Sequence, residues 1–140
     1  MKVTMLLADA AQAVDNKLYI LGGGWSIIGP TPSPSAIALK LEVPWDQTNK
    51  KHSIELALFD ADGKAVVVAT PQGDQPVQVN GQFEVGRLPG LAPGTPIDLA
   101  LAFNFGAFPL PPGGRFTWRL SINNESDEDW QVSFSTRSLG

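Results

Sequence analysis

Cysteine is absent from the 140 residues, histidine occurs once, and only 17% of positions are charged. The first absence removes disulfide frameworks, thiol nucleophiles and thiolate metal sites together, and it suits a reducing, cytoplasmic setting. His52, beside Lys50 and Lys51, has no nucleophile and orienting acid at a spacing that would make it a general base. The ten basic residues are scattered and the net charge is −4, which argues against a nucleic-acid partner, since such binders gather Lys and Arg on one face. No apolar run approaches the roughly 20 residues of a membrane helix, so no membrane partner is expected. Lys2, the run Val3 to Ala8 and Ala11-Gln12-Ala13 imitate a signal peptide, but the apolar stretch meets Asp9 before reaching the roughly 7 to 15 residues required. Sustained helical periodicity, heptads and internal repeats are also missing. The chain is therefore expected to be one domain over 1–140, not an enzyme, with no cofactor and no metal.

What is present is β-strand patterning punctuated by turns. Val3 to Val14 ends at Asp15-Asn16, which tolerates the left-handed conformation of a tight hairpin. Leu18 to Gly29 returns, interrupted by Gly22, Gly23 and Gly24. Three glycines inside a strand mark a bend or a close backbone approach, so the strand is expected to kink there and turn Trp25 into a core between two sheets. Pro30, Pro32 and Pro34 cannot feed a ladder and read as an extended connection. Ile37, Leu39, Leu41 and Val43 alternate with Ala36, Ala38, Lys40 and Glu42, the period of a half-buried strand. Ile54, Leu56 and Leu58 follow, then the turn Asp60-Ala61-Asp62-Gly63 and the run Val66 to Val68. Asn80-Gly81, between Val77, Val79 and Phe83, Val85, carries a strong hairpin signal, and either two short strands pair there or one strand bulges. Gly63 and Gly81 are expected at positive φ.

Between Leu88 and Gly114 half of the 12 prolines occur and Asp98 is the one charge. Within that region Ile97, Leu99, Leu101, Phe103 and Phe105 predict a central strand whose side chains meet Phe116, Trp118, Leu120 and Ile122. These last four pair with Trp130, Val132 and Phe134 as a closing hairpin. Eight or nine short strands without substantial helix indicate an all-β protein, an antiparallel sandwich of immunoglobulin-like or jelly-roll-like type.

Ala8-Asp9-Ala10-Ala11-Gln12, followed by Lys17-Leu18-Tyr19-Ile20-Leu21-Gly22-Gly23-Gly24-Trp25, resembles an uncharacterised family, a domain of unknown function found in bacteria, notably actinobacteria, and their phages. The resemblance extends to the Pro-Gly loops before Phe116 and the closing hairpin. The family more often has Gly where Asn16 stands, and Asn serves the same turn. It implies a single β-rich domain and transfers no catalytic residues.

Several local motifs invite chemistry and yield to simpler readings. The triple glycine is not followed by the helix that a phosphate-cradling loop requires. Asp60-x-Asp62-Gly63 begins like a calcium loop, but Ala69 stands where the closing glutamate belongs. Glu125, Asp127, Glu128 and Asp129 could hold a hard cation weakly, with a solvated turn as the plainer account. Trp25, Trp45, Trp118 and Trp130 are better placed for core packing than for stacking on sugars, Trp45 being the one expected to be exposed.

The expected function is a non-enzymatic protein-interaction or structural domain, its partner being itself, as a two-fold homodimer, or a host protein. The alternative is a small-ligand or carbohydrate-binding module. The interface is expected on the weakly charged outer faces, where Ala36, Ala38, Ala57, Ala100 and Ala102 fall opposite the core, joined by the loop residues Leu88, Leu91, Phe108 and Leu110. Equally, the Pro-Gly loops could fold back over those alanines and bury them within one chain.

Overall fold

In a computed structural model, which describes residues 1–140, Asp15 and Asn16 take φ of 52° and 56°. Left-handed dihedrals at both central positions match the right-handed twist of the flanking strands. They fold β1 (Lys2–Val14) onto β2 (Lys17–Gly23) with Val14 opposite Lys17 and Ala10 opposite Leu21. The glycine run comes next, with Gly22 at φ 60° and Gly24 at φ 92°. A side chain at Gly22 would also push aside the exposed Asp9 carboxylate, but it is the left-handed dihedral for which the bend needs glycine. Beyond it, Trp25 packs on the core and β3 (Ile27–Ile28) lies parallel to β11 (Gln131–Thr136), in the opposite sheet from β2. The expected kink is thus the point at which the chain changes sheets. The proline segment carries it back to β4 (Ser35–Val43) in the first sheet.

A turn of 3-10 helix at Trp45–Gln47 precedes β5 (His52–Asp60). The Asp60 carboxylate accepts the N–H groups of Asp62 and Lys64, and Gly63 takes φ 78°, which closes the turn as an Asx motif. A small hairpin of β6 (Val67–Thr70) and β7 (Gly73–Pro76) then projects before β8 (Gln78–Phe83) returns to pair with β5. β9 (Ile97–Phe105), β10 (Arg115–Ile122) and β11 complete the chain. The protein is all-β, with a four-stranded sheet in the order β2-β1-β4-β9 and a five-stranded sheet in the order β3-β11-β10-β5-β8. Its eleven strands exceed the eight or nine expected because β3 is split from the expected Leu18 to Gly29 strand and β7 is an additional short element, β6 corresponding to the run Val66 to Val68. No helix is long and apolar enough to cross a membrane.

One core joins the two sheets. Ile37, Leu39, Leu41 and Val43 of β4 meet Ile54, Leu56 and Leu58 of β5 and Phe116, Trp118, Leu120 and Ile122 of β10, all buried. Phe105 stacks on Trp118 with ring centroids 4.8 Å apart, and Trp25 meets Phe134 edge-on at 5.9 Å. Aromatic pairs of this kind add about 0.5 to 1.5 kcal/mol beyond their buried area. β9 is an edge strand rather than the central one expected. Its Ile97 is buried, and Leu99, Leu101, Phe103 and Phe105 are half-buried against the core.

Gly81 lies inside β8, opposite Ile54, without a positive φ. The expected turn at Asn80-Gly81 is corrected by parity. In a single strand Val77, Val79, Gly81, Phe83 and Val85 share one face, whereas a two-residue hairpin would send the valines and the later pair to opposite faces.

The first sheet has a second feature. β1 pairs with β4 only as far as Ala8 opposite Ala36; its second half returns beside β9. There the Asn104 amide donates to the Ala11 carbonyl at 2.8 Å and accepts the Ala11 N–H at 3.2 Å. At the hairpin tip Asn16 donates to the Asp98 carbonyl at 2.7 Å and accepts the Ala100 N–H at 2.8 Å. The sheet thereby curls into an antiparallel half-barrel, whose interior is a small core of Ala8, Ala11, Ala36 and Ala38 flanked by Leu18 and Ala102. Side chains this small let two backbone layers approach closely.

Candidate functional site

The residues expected to form an interface are scattered by this curl. Ala36 and Ala38 are 0% and 2% exposed, sealed under the β1–β2 hairpin, and Ala100 and Ala102 are half-buried beside them. The alternative of burial within one chain is the one realised here, although the cover is the hairpin and not the Pro-Gly loops. Phe108 and Leu110 pack on the main core. Leu88 and Leu91 remain exposed. Ala57 is half-buried. An interface built around Ala36 and Ala38 is therefore corrected: neither side chain reaches the surface.

Trp45 is also corrected, being half-buried where exposure was expected. The Arg87 guanidinium lies 4.1 Å from its ring centroid and donates to the Trp45 carbonyl and to Thr48 Oγ1, each at 2.8 Å. Trp118 is buried, and Trp25 and Trp130 are half-buried against the core, so the four indoles present no common platform. Trp25 Nε1 finds no acceptor in the protein. The cleft beside it, between Pro30, Pro32, Phe108 and Leu110, has about 30 Å³ free. That is the share of one water, against roughly 300 Å³ or more for a ligand pocket.

His52 is buried and stacks on Phe83 at 5.0 Å. One ring nitrogen faces the Gln47 carbonyl at 2.8 Å and the other the Asn123 amide at 2.9 Å. The carbonyl can only accept and the amide nitrogen can only donate, which selects the tautomer with its proton on Nε2. Both nitrogens are thus committed to holding the loop before β5 and the turn after β10. At the acidic turn, Asp127 accepts the N–H of Asp129 at 2.9 Å, and no group of three or more carboxylate or histidine side chains converges there or elsewhere in the geometry of a metal site.

The strongest surface feature lies on the hairpin itself. Tyr19, Ile20 and Leu21 are 56%, 41% and 71% exposed, and Val14 and Leu6 are exposed nearby. Tyr19, Ile20 and Leu21 belong to β2, whose one neighbour is β1. Because Val14 and Lys17 close a two-residue turn, their pair exchanges both backbone hydrogen bonds, as do Gln12 with Tyr19 and Ala10 with Leu21. The intervening residues Leu18 and Ile20 therefore aim their N–H and C=O groups away from β1. The same alternation turns Ala11 away from β2, toward the Asn104 amide that binds it. Natural edge strands are usually blunted by lysine, proline or inward charge. Between Leu18 and Leu21 none is present.

Tyr19, Ile20 and Leu21 were legible as strand residues but not as a site. The signal was apolar character on both faces of one strand: Leu18 serves the alanine core, so Tyr19 and Leu21, one residue out of phase, have no core to serve. No curated protein and no solved structure matches the chain. A model of the family of unknown function DUF6941 matches residues 3–134, and with nearly its whole β framework inside that match the chain belongs to this family.

Proposed function

We propose that the protein is a non-enzymatic interaction domain that engages another polypeptide through the free edge of β2. The observation that carries this reading is the coincidence, on Leu18 to Leu21, of unpaired backbone groups with exposed Tyr19, Ile20 and Leu21. An added strand would satisfy the outward N–H and C=O groups of Leu18 and Ile20 by main-chain hydrogen bonds, and side chains on its two faces would set specificity, as in other strand-addition interfaces. Burial of the three exposed side chains favours the same association, each by roughly 1 to 2 kcal/mol for the part still in water. The architecture behind the edge is read as an antiparallel sandwich, one layer of which is curled, in an actinobacterial or phage protein acting in the cytoplasm. The partner is a second copy or a host protein.

Hydrogen exchange at the Leu18 and Ile20 amides, measured alone and with the partner captured from a bacterial extract, tests the reading. Those amides should exchange freely in the isolated monomer and slow on binding. Leu21→Lys should abolish capture, while Val67→Lys on β6 should not. A partner retained by Leu21→Lys, with no slowing at Ile20, would place the interaction elsewhere.

A further inference from the structure

We infer that the occupant of the β2 edge is a second copy of this chain, joined antiparallel about a two-fold axis through Ile20. This rests on the proposed use of that edge and names its partner. The edge is complementary to itself under that operation and under no parallel one. With Ile20 opposite its own copy, the two residues exchange N–H and C=O hydrogen bonds, because both aim these groups outward. Tyr19 falls opposite Leu21 of the other copy, an aromatic and aliphatic pair of the kind that favours cross-strand contact. Leu18 falls at the level of Gly22, where the chain already bends at φ 60°, so the paired stretch is centred on Tyr19 to Leu21.

Charge selects the same orientation. Lys17 stands at the start of β2, and the Asp9 carboxylate lies against Gly22 at its other end. Within one chain the two are at opposite ends of the hairpin. An antiparallel arrangement brings each Lys17 to the end occupied by Asp9 of the other copy, and does so twice. A parallel arrangement sets lysine beside lysine and aspartate beside aspartate. The interface is isologous, closes on itself and leaves no free edge on β2 to propagate a fibre. The two curled sheets would then run on as one eight-stranded sheet across the axis.

Light scattering behind a sizing column, from low micromolar to near millimolar protein, should show a species of twice 14.9 kDa. Asp9→Lys and Lys17→Glu should each raise the dimer dissociation constant about three- to tenfold, and the double reversal should restore it. Because the chain has no cysteine, Ile20→Cys supplies a clean second probe. Under mild oxidation it should form a covalent dimer that Val67→Cys does not form, even if either charge variant folds poorly. A monomer at every concentration, or a dimer indifferent to both charge reversals and left uncrosslinked by Ile20→Cys, would overturn the two-fold pairing. A monomer whose Ile20 amide is protected by another protein would overturn only the choice of partner. A dimer untouched by Leu21→Lys would overturn the use of the β2 edge altogether.

Discussion

Asn104 and Ala11 hold each other by two hydrogen bonds, the side-chain amide of one giving to and taking from the backbone of the other. The amide thus imitates a facing residue in a ladder, and Asn16 repeats the device on Asp98 and Ala100. Two asparagines close the half-barrel where a continuous backbone ladder is absent.

Asn104→Ala should therefore destabilise the protein by about 1 to 3 kcal/mol, since it leaves an N–H and a C=O of Ala11 without their partners. Urea melts measure the loss, and amide exchange should quicken along β1 and β2 before it does in β10. A loss below about half a kcal/mol for the Asn16→Ala, Asn104→Ala double variant would mean that the alanine core alone holds the hairpin down.

Two glycines should respond in opposite directions. Gly81 has strand dihedrals, and an added methyl would meet Ile54 at an ordinary 3.6 Å, so Gly81→Ala should stabilise by about 0.5 to 1 kcal/mol. Gly22 sits at φ 60° against Asp9, so Gly22→Ala should destabilise by more than about 1 kcal/mol. Thermal melts of the two variants side by side decide the matter, and equal signs would contradict the backbone described.

Ala38→Leu inserts three carbons between the hairpin and the outer face of β4. Overpacking of this kind costs about 1 to 3 kcal/mol. A solvated face would accept the leucine with little change, so an unaltered denaturation midpoint would show that the hairpin does not cover Ala38 in solution.

The His52 bridge separates a hydrogen bond from a backbone preference. Asn123 has φ 54°, which glycine adopts freely, so Asn123→Gly removes the amide without adding strain. That variant should still lose about 1 to 3 kcal/mol, because His52 Nδ1 and the Ser53 N–H both lose their partner. A Gly variant as stable as the parent would show that solvent replaces the amide there.

Period-two alternation located nearly every long strand, since burial of one sheet face is written directly into neighbouring residues. Turns with aspartate or asparagine before a left-handed position were equally readable, as at Asp15-Asn16 and Asp60 to Gly63. Asn80-Gly81 misled because a dipeptide preference is local, whereas the shared parity of Val79 and Phe83 with Gly81 settles the face of a whole strand. The alanine stripe was visible in the sequence, but its cover was not: the closure depends on Asn104 meeting Ala11, a separation of 93 residues. For the same reason the edge at Tyr19 to Leu21 became a candidate site only once β2 was seen to have one neighbour.

The glycine crossing after β2 has a consequence for the order in which the protein can be assembled during synthesis. Ile27 and Ile28 find their ladder only on β11, and Arg137 clasps the Gly29 carbonyl across 108 residues. Nearly everything between must exist before β3 and the glycine crossing can settle, whereas β1 and β2 need only each other, β4 and β9. Topologies dominated by such distant pairings fold in roughly milliseconds to seconds. Until β11 emerges, β3 has no ladder and the outer border of β10 stands open, in addition to the β2 and β8 edges that the finished sheets keep.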